Sequence, residues 1–176
     1  MDEKERYEKG MAKRRKVLGN AWVDRAIAGQ TPFNAEFQDF ITRYAWGELW
    51  QRPHFDERTR RVLVIGTTIA LDKWDEFRLH VRAALVEGGF SADDLKEIIM
   101  QQAIYCGVPA ANHAFKEAAE VIAEVAKAEA RAVGVERILK IEVVVVEPVA
   151  FEQQRLPQGL GRALEDPAVL APVGGA

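Results

Sequence analysis

The run VLVIGTTIAL, Val62 to Leu71, constrains this chain more than any other stretch. A bilayer span needs about 20 apolar residues, so this run is too short to cross a membrane. It forms the second half of ERTRRVLVIGTTIALDK, which reads as a helix capped by Asp56. A helix that is apolar nearly all round belongs in the centre of a protein, covered by other elements. The fold must therefore supply several helices to surround this one.

The flanking sequence offers them. Residues 3–18 have a mixed-charge helical pattern, and GNAWVDRAIAG gives a short second helix ended by Gly29. TPFNAEFQDFITRYAWGELWQRP opens with Thr31 as cap and Pro32 at the first helical position. It stops at Pro53, because proline cannot continue the hydrogen-bond ladder. Its apolar stripe is Phe33, Phe37, Phe40, Ile41, Tyr44 and Trp46 or Leu49. DEFRLHVRAALVEGG is a helix ending at Gly88–Gly89, with Phe77, Val81, Ala84, Leu85 and Gly88 on one face. SADDLKEIIMQQAIYCG has Ser91 as cap, acidic residues in its first turn and Gly107 as stop. Pro109 opens a last long helix to about Gly134. Residues 1–134 thus read as one all-α domain. Over 135–176 the composition shifts: RILKIEVVVVEPV reads as a strand, and the Pro/Gly-rich remainder as an irregular tail.

The chain has 176 residues, 48% hydrophobic and 29% charged, with a net charge of −3. That describes an ordinary soluble protein with a real core and no basic excess for nucleic acid. The basic cluster KRRK, Lys13–Lys16, reads as a solvated face rather than an anion site, because it lies in a mixed-charge helix. A single cysteine, Cys106, excludes a disulfide framework within one chain. The charged N-terminus lacks a signal-peptide core, so a cytoplasmic location is expected. No spacing of histidines and cysteines suits a metal, and no Gly-rich phosphate loop or GxSxG motif occurs.

The polar residues on apolar stripes carry the chemical signal. His80 falls on the face of Phe77 and Val81, with Glu76 one turn before it. A carboxylate beside an imidazole favours the protonated form while burial opposes it, so the pair can hold a proton near neutral pH. A plain helix-surface ion pair with a half-buried histidine has the same spacing. On the next helix Gln102 and Cys106 share a stripe with Leu95, Ile98, Ile99 and Ala103. Gln102 can donate to a ligand or cap a buried carbonyl, and Cys106 reads first as packing. Gly47, inside RYAWGELWQRP, costs about 1 kcal/mol against alanine in a helix. Close helix approach or a bound ligand would offset it.

Five ordered segments carry a resemblance: YEKGMAKRRKVLG, VDRA, FQDFITRYAWGELWQRP, LDKWDEFRLHVRAAL and LKEIIMQQAIYCGVPAANHAF. From about Tyr7 to Val125 the chain resembles the carboxymuconolactone decarboxylase family. The wider family includes hydroperoxidases with a CxxCxxxH pattern. Over that pattern this chain has Lys73, Glu76 and His80, so the histidine remains and both cysteines are absent. The resemblance implies an alkyl-hydroperoxidase-D-like helical bundle, assembled as a homo-oligomer (hexamer or trimer), working on a small carboxylated lactone without a cofactor. The implied reaction is decarboxylation of 4-carboxymuconolactone to 3-oxoadipate enol-lactone and CO2, in protocatechuate catabolism. Two alternatives within the family are a hydroperoxidase-like antioxidant using Cys106 and a non-catalytic oligomer that binds a small acid.

On the implied reaction, His80, polarised by Glu76, is the proton donor. Gln102 or the Trp46 indole would hold the lactone oxygen, and Cys106 would line the site. Arg52 or Arg43, beside the tryptophans, would clamp the spectator carboxylate, since a guanidinium matches it with two hydrogen bonds. Arg78 and Arg82 lie off the apolar stripe and are expected in solvent. The Ile141–Val146 strand is expected to pair across subunits or cover the mouth of the site.

Overall fold

The computed structural model describes residues 2–132. They form α1 (Glu3–Leu18), α2 (Asn20–Ala28), α3 (Ala35–Ile41), a π-helical segment (Thr42–Trp46) and a 3-10 turn (Leu49–Gln51). These are followed by α4 (Glu57–Ala70), α5 (Trp74–Val86), α6 (Ala92–Tyr105) and α7 (Val108–Ala132). The described residues are all-α. The strand and tail expected over 135–176 lie outside them.

Two cores hold the helices together. The larger is built by Ile65 and Ile69 of α4, Phe77 and Val81 of α5, Leu95 and Ile99 of α6, and Ala114, Ala118 and Val121 of α7. The alanines let α7 approach its neighbours closely. The second core joins Val17 and Leu18 of α1, Val23 of α2, Trp46 and Trp50 to Ala83 of α5. Helix α5 therefore contributes to both. It is also tied to α7 by charge. Arg78 reaches Glu117, Glu120 and Glu124 at 2.6, 2.8 and 2.9 Å, and Arg82 also pairs with Glu124. The two arginines expected in solvent are thus a clamp between helices.

Most helix boundaries follow the sequence signals. Asp56 accepts the Thr59 N–H at 2.7 Å. Ser91 and Asp94 make a reciprocal capping box, and Gly107 leaves α6 at φ +89°. The expected single helix over TPFNAEFQDFITRYAWGELWQRP departs from this. Thr31 does not cap it; its N–H goes to the Asn34 side chain at 2.8 Å, and the helix begins at Ala35. The helix then widens, with the Gly47 N–H bonded to the Thr42 carbonyl at 2.9 Å, five residues back. The cause of the glycine is α1. A Cβ on Gly47 would lie 2.3 Å from the Arg6 carbonyl oxygen, and one on Gly10 would lie 2.0 Å from that of Thr42. Of the two explanations for Gly47, close backbone approach is the one observed.

The largest departure concerns the apolar surfaces. Phe33 is 99% exposed, and Phe37, Phe40, Tyr44 and Leu49 of the same expected stripe are exposed too. The central helix is only half covered: Ile65, Thr68 and Ile69 of α4 are buried, while Val62, Leu63 and Leu71 face outward. Beyond it, Ile104 and Tyr105 at the end of α6 are 80% and 79% exposed. One copy of the described residues does not bury the apolar surface that the sequence provides. No helix among them is long and apolar enough to cross a membrane.

Candidate active site

Helix α5 carries His80 on the flank of its buried stripe. Its Nδ1 is buried with no hydrogen-bond partner among the described residues. Glu76 is exposed one turn earlier, and no ion pair or hydrogen bond joins the two. The neighbour that matters more is Arg61 of α4, only 2% exposed, which donates to the Val17 carbonyl at 2.9 Å. Its Nη1 has no partner among the described residues. Burial, then the Arg61 charge, push the His80 pKa down to about 4, against the opposing pull of Glu76. The expectation of a proton held near neutral pH is overturned for this chain by itself: the imidazole is neutral there.

This has a measurable consequence for stability. The imidazole binds its proton near 6.5 when unfolded and near 4 when folded, so the unfolded chain holds more protons between these values. Stability is complete above about pH 6.5 and falls as the pH drops toward 4, by about 3 kcal/mol at most. Denaturant titrations at pH 7, 5.5 and 4.5 should find this slope, and His80→Gln should flatten it. Equal slopes in both proteins would contradict the burial described.

Helix α6 meets α4 on another side, through Gln102. A Cβ on Gly66 would lie 2.9 Å from Gln102 Nε2, so this mid-helix glycine makes room for the amide. The Cys106 thiol donates to Gln102 Oε1 at 3.0 Å. Gln102 caps no carbonyl among the described residues, and its amide N–H groups remain available. Arg61 and Gly66 are five residues apart, about 7.5 Å along the helix. Helix α4 is thus the element that His80 and Gln102 have in common.

Cys106 also lines a cavity of about 350 Å³ with Asp72, Trp74, Pro109, Ala110 and His113. Pockets of roughly 300–1,000 Å³ hold small ligands. The His113 ring lies against Trp74 with centroids 4.1 Å apart. Glu76 and His80 are not among the residues that line this cavity.

The other expected groups are placed elsewhere. Arg43 is held by Asp39 at 2.6 and 3.1 Å and by the Glu3 carbonyl at 2.7 Å, so it is not a free clamp. Trp46 is buried and stacked on Trp50 with centroids 5.0 Å apart, filling the second core rather than facing a ligand. Arg52 is exposed between the 3-10 turn and α4, and its guanidinium makes no ion pair among the described residues. Arg61 and Gly66 were missed from sequence. The available signal was slight, since Arg61 ends the charged first half of α4 and Gly66 interrupts its apolar second half.

The described residues are thus an all-α body in which Gln102 and Cys106 lie by Gly66 of α4, and His80 lies near Arg61 of the same helix. A family model, the carboxymuconolactone decarboxylase family, matches residues 35–120. A 4-carboxymuconolactone decarboxylase of Acinetobacter baylyi is 41% identical over 121 residues, 69% of this chain and 90% of that protein. The chain belongs to the carboxymuconolactone decarboxylase family. A 4-carboxymuconolactone decarboxylase of Pseudomonas putida is 56% identical over 48 residues, 27% of this chain and 100% of that sequence. A nitrosuccinic acid decarboxylase of Metarhizium robertsii is 37% identical over 103 residues, 58% of this chain and 71% of that protein.

Proposed function

We propose that this protein is a carboxy-lyase that converts 4-carboxymuconolactone to 3-oxoadipate enol-lactone and CO2, in protocatechuate catabolism. The observation that carries the reading is the long match to a decarboxylase of that name, with His80 in a buried setting inside the matched region. The substrate is its own electron sink. The electrons of the breaking C–CO2 bond move through the ring double bond into the lactone carbonyl. The protein must stabilise that oxygen and protonate the α carbon.

His80 is the proton donor in this proposal and Gln102 Nε2 the donor to the lactone oxygen. Since His80 is neutral in the free chain, its proton has to arrive with the substrate. Two carboxylates brought beside it, with Glu76 adding to their field, raise the imidazole pKa and draw a proton in. Cys106 lines the site without reacting, and Arg52 is the remaining arginine for the spectator carboxylate. The helical domain, residues 1–134, carries this machinery in the cytoplasm, and 135–176 are an extension of it.

The protein acts as a homo-oligomer, a trimer or hexamer, on this reading. Its support is the uncovered apolar surface on α4, α6 and the start of α7, which includes Leu63, Met100, Ile104, Tyr105 and Val108. Patches of this kind mark association surfaces. The double variant Ile104→Glu and Tyr105→Glu is expected to yield monomers in light scattering, with activity reduced alongside. A variant that keeps the wild-type mass removes this surface from the interface.

The decisive assay is CO2 release from freshly generated 4-carboxymuconolactone, with CO2 release from nitrosuccinic acid and dithiol-dependent consumption of an alkyl hydroperoxide as comparisons. Turnover of the lactone alone supports the proposal. Turnover of either comparison substrate in its place refutes it.

A further inference from the structure

A second cavity, of about 100 Å³, is lined by Tyr7, Met11, Arg14, Ile27, Gln38 and Asp39, among others. Its walls come from α1, α2 and α3, and Thr42 at the start of the π segment also borders it. No residue of α5 or α6 does. Arg14 belongs to the basic cluster whose pattern reads as a solvated face. Its neighbours fit that reading better: Lys13 and Lys16 both reach Glu57, at 2.7 and 2.8 Å, and Arg15 pairs with Asp24. Arg14 instead is 4% exposed.

Its guanidinium lies over the Trp22 ring, 5.5 Å from the centroid, but has no counter-charge among the described residues. Two N–H groups bond to neutral oxygens, Thr42 Oγ1 at 3.3 Å and Gln38 Oε1 at 2.9 Å. Its Nε is buried without a partner, and no carboxylate pairs with it among the described residues. Asp39 borders the same cavity, but Arg43 holds both its oxygens. A buried charge without a counter-charge costs several kcal/mol. Burial accordingly lowers the Arg14 pKa. The adjoining π segment is a second sign, since such segments recur at functional sites.

We propose that this cavity binds the carboxylate of a small monocarboxylic acid, with Arg14 as counter-charge and Met11, Ala26 and Ile27 as the wall for its short carbon chain. A planar guanidinium matches a carboxylate in geometry and charge. With Asp39 already paired to Arg43, the single free charge of Arg14 balances one negative charge and leaves a doubly charged anion such as phosphate uncompensated. The volume holds several waters, hence a molecule of a few heavy atoms. This site is separate from the one proposed for decarboxylation.

Butyrate is the probe and inorganic phosphate the competing anion, titrated calorimetrically at constant ionic strength. The expected result is one saturable butyrate site per chain with a millimolar Kd, and phosphate binding at least tenfold weaker. Arg14→Met and, independently, Ala26→Phe, which fills the cavity and leaves the guanidinium in place, should each weaken butyrate at least tenfold. His80→Ala should bind butyrate as the wild type does. Absence of butyrate binding overturns the proposal, and so does binding that survives Ala26→Phe. Equal phosphate affinity, or loss of butyrate binding in His80→Ala, also overturns it.

Discussion

Replacing His80 by alanine is expected to lower kcat for 4-carboxymuconolactone by at least about 100-fold, because a positioned proton donor contributes about 10²–10⁴. The KM should change much less, since the side chain acts on the developing carbanion rather than on the bound ground state. Buried next to Arg61, the imidazole is neutral at pH 7, whereas the proposed mechanism acts through the imidazolium. Imidazolium becomes scarcer as the pH rises. The wild-type kcat/KM should therefore fall with rising pH across neutrality, and the residual activity of His80→Gln should not share that fall. Stopped-flow turnover with a pH-indicator dye measures both. A nearly unchanged kcat in His80→Ala would leave the family membership intact and remove His80 from the chemistry.

The second large effect is structural. Gly10→Ala should destabilise the protein by about 3 kcal/mol or more, at the upper end of overpacking costs. The added Cβ would sit 2.0 Å from the Thr42 carbonyl oxygen and 2.9 Å from the Gly47 nitrogen. Both are backbone atoms, so no rotamer change can relieve the clash. Either α1 moves off the π segment or the segment unwinds, and both open the core formed by Val17, Trp46 and Trp50. At roughly 3 °C per kcal/mol for a chain of this size, Tm should drop by about 10 °C. Calorimetry of Gly10→Ala beside the exposed control Gly29→Ala measures it. Equal melting temperatures would mean that the two backbones are not in contact.

The sequence was most legible where a local rule decides the outcome. Asp56, Ser91, Gly107 and the stripe of Phe77, Val81 and Ala84 all act through neighbours within a turn or two. It was least legible where the partner lies far along the chain. The π segment depends on Gly10, which no pattern within residues 31–53 reveals. Trp46 and Arg43 look like ligand groups in their own helix, yet Trp50, Asp39 and Glu3 occupy them. Glu76 and His80 have the spacing of an ion pair, yet the imidazole's state is set first by burial and then by Arg61, nineteen positions before it on another helix. The stripes of α5 and α6 lie where periodicity puts them, whereas the one expected over residues 31–53 is broken, with Phe33 before α3 and Tyr44 in the π segment. Periodicity says that a face is apolar, but not whether the same chain covers it.

The widened helix at Thr42–Trp46 also bears on how this protein can change in length. A π turn holds one residue more than the α-helix it interrupts. Deleting one residue before Trp46 would restore ordinary hydrogen bonding while the turn still makes about one revolution, so the side chains beyond it would keep their faces. Trp46 and Trp50 would then stay in the core they share with Val17 and Val23. What the shortened helix would lose is the wide turn against which Gly10 packs. A deletion within an ordinary helix turns everything beyond it by about 100°, so this segment is the place where one residue can be lost without that rotation.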